Sequence, residues 1–297
     1  MNKNKKLNKW QWRILTSALI FSMVSTACGI KLPSLVTEIK TGPTQTMDIQ
    51  VPLPADSTSN VELNLEFMAG ELRLSPGDSG YLASVRATYN AAELEPVVEV
   101  TGGATYLKTG DLEIEGLPKF EDELKNEWDV QLGDTPMSLN IQAGAYSGNL
   151  ELGGLSLNEL TISEGGSDVT CSFSAPNHVE MSTFTYSTGG STMELKGLSN
   201  ANFETMSFNG GAGDYTLSFD GDLQRVAVVN IDAGVSTVNI IVPAGIQAQV
   251  IFDGGLTGVN AEGGWAQDGS TYTHAGSSPS LTIKVSMGMG TLNLKSG

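Results

Sequence analysis

Three kinds of side chain are scarce in this chain, and each scarcity narrows its function. The 297 residues include only 2 Cys and 2 His, too few for a disulfide framework or a Cys/His zinc cluster. Lys and Arg together number 16, against 33 Asp and Glu. Because so acidic a surface repels the phosphate backbone, the composition excludes nucleic acid as a partner.

A hydrophobic run long enough to cross a membrane is also missing from the N-terminal region. The mainly apolar stretch from Ile14 to Val24 has eleven residues, whereas a membrane-spanning helix needs roughly 20. It follows a basic head and precedes the small residues "STA", which is the anatomy of a secretory signal peptide. We therefore expect residues 1–27 to be removed on export. The basic residues of the head are Lys3, Lys5, Lys6, Lys9 and Arg13.

Cys28 directly follows the expected signal peptide. The tetrapeptide "STAC" resembles a bacterial lipobox, whose cysteine is diacylated, although Ser25 stands where that motif usually has Leu or Val. We expect lipidation of Cys28 and attachment to the outer face of a membrane, since two or three acyl chains anchor stably. A soluble secreted form and an uncleaved anchor are the alternatives. Without residues 1–27, the chain has 11 basic and 33 acidic residues, a net charge of −22.

The composition then changes twice along the chain. Pro, Gly, Thr and Ser are frequent up to Asn60, which favours an extended tether over residues 28–57. Residues 58–140 contain several short alternating stretches and are expected to form a small N-terminal β subdomain. The first of these stretches, from Val61 to Leu74, resembles a divergent rung. Within it, the spacing of apolar residues from Pro118 to Trp128 predicts one brief helix. Residues 141–297 are expected to form a repeat domain.

Small residues ending in glycine recur through this repeat domain. Successive recurrences are 22, 24, 21, 23 and 21 residues apart, with alternating apolar and polar residues between them. Such alternation, bounded by Gly, Asn, Asp and Pro, is typical of half-buried strands. We interpret the glycines as rung corners rather than as a phosphate or calcium loop, because glycine tolerates positive φ and close backbone approach. The corner glycines are Gly144, Gly166, Gly190, Gly211, Gly234 and Gly255.

The period predicts a β-solenoid of about 22 residues per rung. Each turn lays its strands on those of the turn before, about 4.8 Å away, so that inward side chains form one apolar column. Cys171 falls between Val169 and Phe173 at an inward phase and is expected to be a buried small hydrophobe. In the fourth rung, the alternation places Val226 and Val228 inward.

The segments "NEWDVQLGDTPMSLNIQAGAYSGNLELGGLSLNELTISEGG" and "FNGGAGDYTLSF" resemble the bacterial toast-rack family. That family is related to domains named "putative adhesin" and to the C-terminal domain of LiaF-like cell-wall-active antibiotic response proteins. The resemblance covers most of residues 58–297. It implies a single-stranded, right-handed parallel β-helix behind a small β subdomain, and it implies no catalytic motif. LiaF-like proteins have membrane helices before this domain, whereas this chain has only a signal sequence.

Residues that could carry chemistry are few. A polar residue stands two positions before each corner glycine, and in-phase rungs would stack the last two, Asp232 and Asp253. We expect these residues to cap turns, with a bridging cation as the alternative. The insertion that holds Trp265, Tyr272 and His274 is the candidate ligand loop, because function collects on loops over a rigid scaffold. The alternative is that the insertion is a surface loop without a ligand. No metal, cofactor or catalytic residue is predicted.

Together these patterns predict a non-catalytic lipoprotein of the bacterial cell envelope. Its expected partners are the membrane, through the lipid anchor, and a cell-wall or protein ligand, in adhesion or in the response to envelope stress. The alternative is a polysaccharide-active β-helix enzyme, a lyase or hydrolase, which would use clustered acids on one face of the coil. The scarcity of basic residues after Gly144 disfavours binding of an anionic sugar.

Replacing Cys28 by Ser should abolish the incorporation of labelled palmitate in bacterial cells, because serine offers no thiol for acylation. Cys171→Ala is the matched control and should keep the label, since its thiol is expected to face the core. Label retained by Cys28→Ser would contradict the predicted anchor.

Overall fold

The computed structural model describes residues 36–54, 61–77, 80–110, 117–120 and 124–297. The expected signal peptide and Cys28 therefore lie outside the described residues. Strands dominate, with two short 3-10 helices, Ala92–Leu94 and Leu198–Ala201. The strands are β1 Val36–Ile39, β2 Gln45–Val51, β3 Val61–Pro76, β4 Ala83–Tyr89, β5 Pro96–Thr101, β6 Ala104–Thr109, β7 Leu117–Phe120, β8 Asn126–Leu132, β9 Met137–Glu151, β10 Leu157–Ser172, β11 Met181–Lys196, β12 Phe203–Ser218, β13 Ala227–Val242, β14 Gly245–Ala261, β15 Trp265–Asp268, β16 Thr271–His274 and β17 Gly276–Ser296.

The described residues form two compact units. In the first, β1 and β7 pair as a two-stranded sheet. The second contains a 15-stranded sheet in the order β15-β16-β14-β17-β13-β12-β11-β10-β9-β3-β8-β4-β2, with β6 beside β3 and β5 beside β6. From β3 to β14 along this order the pairing is parallel. The predicted all-β parallel solenoid is confirmed.

One long strand builds each rung. β10, β11, β12 and β13 are each 16 residues long, and buried residues alternate with exposed or half-buried ones along them. In β10 the inward residues Leu160, Ile162 and Val169 are at most 2% exposed. Because only one face of each strand meets the core, the apolar residues that alternate in the sequence are the buried residues of the strand.

The last rungs are not stacked in chain order. β17 lies between β13 and β14 and is parallel to both, so that β14 becomes the outermost long rung. A row of side-chain hydrogen bonds follows the same order: Asn260 donates to Asn293 (2.9 Å), and Asn293 donates to Asn239 (2.8 Å). Asn239 in turn lies 3.3 Å from the hydroxyl of Thr216 on β12. The expectation that each turn rests on the preceding one therefore holds from β9 to β13 and fails after it.

The rungs bend at a column of glycines inside the strands. A Cβ on Gly211 would lie 2.1 Å from the carbonyl oxygen of Gly189, and one on Gly144 would lie 2.2 Å from that of Met68. Neither glycine has a positive φ, so close backbone approach, and not an unusual dihedral angle, requires glycine here. The column contains Gly144, Gly165, Gly189, Gly211, Gly234, Gly288 and Gly255.

Two of the six predicted corner glycines lie beside this column. Gly166 and Gly190 are one residue beyond it, in register with each other and with Ala212. Both belong to Gly-Gly pairs, whose first members, Gly165 and Gly189, occupy the bend. From the sequence, either glycine of such a pair could lie at the bend. The packing of the neighbouring backbones places the first one there.

The N-terminal part also contributes to the solenoid. The stretch from Val61 to Leu74, whose alternation resembles a divergent rung, lies in β3, which pairs with β9 along most of its length and is a rung. β2 lies within the expected tether, yet it pairs with β4 as an edge strand of the sheet. The predicted helix from Pro118 to Trp128 is wrong at both ends, where β7 and β8 are strands. Trp128 is 1% exposed at an inward position of β8, where buried residues alternate with exposed or half-buried ones.

The predicted inward phase is correct for most rungs and wrong for one. Cys171 is fully buried, as expected. In the fourth rung Val226 is 59% exposed, and Ala227 and Val229 face the core instead. The apolar run from Val226 to Val229 fits either phase, and the pairing of β13 with β12 selects the second.

No helix among the described residues is long and apolar enough to span a membrane.

Gly211→Ala should lower the free energy of unfolding by about 1–3 kcal/mol or more, because the new methyl group overlaps the carbonyl of Gly189 and forces the rungs apart. Gly258→Ala is the matched control: Gly258 lies in β14 with open space around its Cβ position. This control should be neutral or gain up to about 1 kcal/mol from reduced unfolded-chain entropy. Urea unfolding measures both, and equal effects would contradict the packing role of the column.

Candidate binding groove along the glycine bend

A row of polar side chains runs beside the glycine column. It crosses β3, β9, β10, β11, β12 and β13 in register, one residue per strand. Neighbouring members are therefore about 4.8 Å apart. We call this row the bend groove; it consists of Glu66, Gln142, Ser163, Ser187, Asn209 and Asp232.

Two adjoining clefts follow the bend groove. One, of about 1020 Å³, is lined by Glu66, Gln142 and Ser163 and by the glycine bend at Gly144. The other, of about 440 Å³, is lined by Ser163, Ser187, Asn209 and Asp232. Because Ser163 and Glu164 line both, the two clefts form one continuous surface. Its hydroxyl, amide and carboxylate groups offer regularly spaced hydrogen-bond partners.

One buried carboxylate lies where the two clefts meet. Glu164 is 7% exposed and is the one acidic residue among the buried side chains that the structure describes. The hydroxyl of Tyr146 donates to its Oε2 at 2.8 Å, and Ser167 donates to its Oε1. Thr188, the register partner of Glu164 on β11, donates to Ser191 at 2.9 Å. The bonds from Tyr146 and Ser167 offset the desolvation of the carboxylate, and the one from Tyr146 joins the neighbouring rungs β9 and β10 on the inner side of the bend.

The environment of Glu164 changes the titration of the tyrosines around it. Burial, together with the negative charge of Glu164 and its hydrogen bond, raises the pKa of Tyr146 well above the usual tyrosine range. Burial and the hydroxyl of Tyr146 raise the pKa of Tyr186 as well. Both tyrosines therefore remain neutral at any physiological pH, and Tyr146 keeps the proton that it donates to Glu164.

The acidic pair that the sequence places together is separated. Asp232 and Asp253 both pair with Ser286, which lies between them because β17 intervenes. A cation bridging neighbouring carboxylates at these two positions is therefore excluded by the strand order. Among the described residues no group of three or more His, Cys, Asp or Glu side chains is placed to hold a metal ion.

The other members of the expected polar row also belong to two different rows. Gln142 pairs with Ser163, whereas Glu164 pairs with Ala143 and with Thr188. Glu164 and Thr188 therefore lie one residue further along their strands than the bend groove. Ser163 and Ser187, which the sequence did not single out, take their places. The polar row is shifted by one residue in β10 and β11 for the same reason as the glycine column: both strands contain a Gly-Gly pair, and its first glycine lies at the bend.

The candidate ligand loop folds as a hairpin over the end of the sheet. β15 and β16 are antiparallel, and Trp265 lies opposite His274 with ring centroids 5.2 Å apart. Tyr272 and His274 are each 6% exposed. The two ring nitrogens of His274 lie 2.9 Å from the carbonyl oxygen of Ile246 and 3.2 Å from the hydroxyl of Ser296. The three residues share one hairpin: the buried Tyr272 and His274 lie on the strand that pairs with β14, and the half-buried Trp265 packs on His274.

Cys171 lies deep in the core between rungs, fully buried. Burial, followed by the negative charges of Glu151 and Glu164, raises the pKa of its thiol. Because the thiolate is the reactive form, this position suits a packing residue and not a nucleophile.

Comparison with known proteins identifies one sequence family. Residues 40–183 match the model of the N-terminal domain of toast_rack, DUF2154. The match begins just before β2 and ends in β11, so it includes the first half of the bend groove. No curated protein matches the chain.

Several solved structures are similar to the chain over most of its length. A "putative cell adhesion protein" from Clostridium sporogenes is 18% identical, with 86% of this chain and 100% of that chain covered and a TM-score of 0.46. A "putative adhesin" from Bacteroides fragilis is 11% identical, with 86% and 99% covered and a TM-score of 0.38. A "putative lipid binding protein" from Parabacteroides distasonis is 9% identical, with 87% and 99% covered and a TM-score of 0.32.

The free energy of unfolding should fall as the pH rises above about 10, the ordinary tyrosine pKa. Tyr146 and Tyr186 have raised pKa values in the folded chain, so the unfolded chain loses their protons first. The stability they contribute is complete below pH ~10 and is lost as the pH rises towards the folded pKa. Each tyrosine gives a slope of up to about 1.4 kcal/mol per pH unit.

Tyr146→Phe should make the fall in the free energy of unfolding between about pH 10 and 11 less steep, by up to about 1.4 kcal/mol per pH unit. Urea unfolding at a series of pH values would measure this slope. The slope, and not the level, is the readout, because Phe also loses the hydrogen bond to Glu164 at neutral pH. An unchanged slope would show that Tyr146 ionises normally in the folded chain.

Proposed function

Because residues 40–183 match the model of the toast-rack N-terminal domain, we propose that this chain is a non-catalytic binding protein of the bacterial envelope. In this proposal the chain is exported by its signal sequence, is anchored by lipid at Cys28, and holds its ligand in the bend groove. The observation that carries the proposal is the groove itself: six rungs present one polar side chain each along one continuous cleft.

The charge of the groove selects the chemistry of the ligand. Glu66 and Asp232 are its ionisable members, and the cation beside it, Lys108, lies 3.1 Å from Glu99. With a net charge of −22 expected for the exported chain, an anionic polymer would be repelled. A neutral polyhydroxylated chain would meet hydroxyl, amide and carboxylate partners at each rung. We therefore propose a glycan strand of the cell wall as the ligand.

The spacing of the acids supports binding over hydrolysis. Glycoside hydrolysis uses two carboxylates roughly 5–9.5 Å apart across the scissile bond. Glu66 and Asp232 are five rung steps apart, roughly 24 Å at the usual strand spacing. Both oxygens of the buried Glu164 accept hydrogen bonds from Tyr146 and Ser167, which suits a structural role for this carboxylate.

Asn209→Arg should weaken binding of the full chain to isolated cell-wall sacculi by roughly tenfold, the equivalent of about 1.4 kcal/mol. The long side chain fills the cleft and removes the amide beside Ser187. Thr183→Arg is the matched control: it adds the same charge at an exposed position of the neighbouring strand β11, outside both clefts. A co-sedimentation assay measures the bound fraction.

Equal binding by the two variants would remove the bend groove from the proposal. Release of soluble sugar from the sacculi by the parent chain would instead favour the polysaccharide-active enzyme. Loss of palmitate labelling without loss of wall binding would leave the groove in place and separate binding from the anchor.

A further inference from the structure

The outermost long rung of the solenoid is only half covered. β14 pairs with β17 along its whole length, but on its other side only Ala248–Ile251 meet β16. The backbone amide of Phe252 donates to Ser270 at 2.9 Å, and that coverage ends there. Among the described residues, no strand pairs with the outer edge of β14 from Asp253 to Ala261. Unpaired N–H and C=O groups along such an edge are a template for another strand.

The same end of the solenoid exposes apolar side chains in register. Val235 on β13, Met289 on β17 and Leu256 on β14 form one row, which we call the apolar stripe. Their exposures are 60%, 47% and 76%. In the inner rungs, the equivalent row consists of small residues, Gly166, Gly190 and Ala212. The apolar stripe thus begins where the open end of the sheet is approached.

The interior of the solenoid is also incompletely closed at this end. Phe252 and Val259, the inward residues of β14 beyond its pairing with β16, are only partly buried against the core, whereas Val250 within that pairing is fully buried. By contrast, Phe208 and Leu217 on the inner rung β12 are fully buried. A solenoid normally closes its ends with a polar capping unit. Here the β15–β16 hairpin closes one arm of the last rung and leaves the other arm open.

The open edge lacks the features that usually prevent pairing. The six residues Leu256–Ala261 contain no Lys, Arg or Pro, and none of them is charged. The hairpin strand β15, which is also an edge, is only four residues long and ends in Asp268. Shortness and charge are common ways of blunting an edge, so the β14 edge differs from its neighbour in both respects.

We propose that Leu256–Ala261 pairs antiparallel with the same segment of a second copy, giving a closed two-fold dimer. The choice of a second copy rests on charge: the segment is neutral in a strongly acidic chain, so pairing it with itself, Leu256 opposite Ala261, sets no like charges opposite each other within the segment. A cationic partner would find nothing complementary here. Pairing continues the sheet across the dimer and covers Leu256 and Val259. A two-fold axis through the edge closes the assembly at two copies.

Sedimentation of the full chain in mild detergent should show a dimer. Leu256→Lys should convert it to a monomer, because it places a charge in the neutral pairing edge, opposite Ala261 of the second copy, and removes an apolar side chain that the dimer covers. Val100→Lys is the control: Val100 is 70% exposed on β5, away from β14, and its variant should remain dimeric. Since Leu256 is 76% exposed, neither substitution disturbs the core.

Cross-linking locates the contact. Gly258→Cys, near the middle of the segment and with open space around it, should be joined by a bis-maleimide into a species of twice the chain mass. The parent chain gives the background from its own cysteines, and Val100→Cys should not exceed it. A monomeric parent chain, equal cross-linking of both variants, a ladder of higher oligomers or a product with another protein would each overturn the proposal. None of these outcomes bears on ligand binding in the bend groove.

Discussion

The close approach of neighbouring backbones at the glycine bend is the constraint on which the rest of the solenoid depends. A carbonyl oxygen of one rung occupies the space where a Cβ of the next would stand, as between Gly189 and Gly211. Each rung can bend there without leaving its hydrogen-bonded ladder, so one strand supplies both arms. The inward residues of both arms then close on one core, in which Phe208 and Tyr215 meet across the bend with ring centroids 5.0 Å apart.

The bend also explains why polar groups gather on both of its sides. On the outside, the glycines of the column have no side chains and therefore leave a cleft, which is lined by the polar residues of the bend groove. Inside, the tight corner brings Glu164 within hydrogen-bond distance of Ser167 on its own rung and of Tyr146 on the adjacent rung. A buried carboxylate is stable only with such donors. The groove and the polar cluster beneath it are therefore two consequences of one backbone geometry.

Much of this fold could be predicted from the sequence, because period and alternation are local. The recurrence of about 22 residues predicts the rungs, and the inward positions of Leu160, Cys171 and Phe208 follow from period two. Local patterns fail where two solutions fit equally. The apolar run from Val226 to Val229 fits either phase, and a Gly-Gly pair offers two bends. The bend groove was missed for the same reason, since its register requires knowing which glycine of each pair turns the corner.

The order of the last rungs shows a different limit, and it also explains why the open edge is stable. β14 and β17 satisfy the same inward pattern, with Val250 in register with Ile283, so no local signal states which of them contacts β13. With β17 placed inside, β14 is the rung that has one long neighbour. It does not end freely, however: Pro243 joins it to β13, and Gly263 leads into the hairpin that returns to its first arm. An edge strand held at both ends frays less readily than a free one, so its unpaired groups stay ordered and available for another strand.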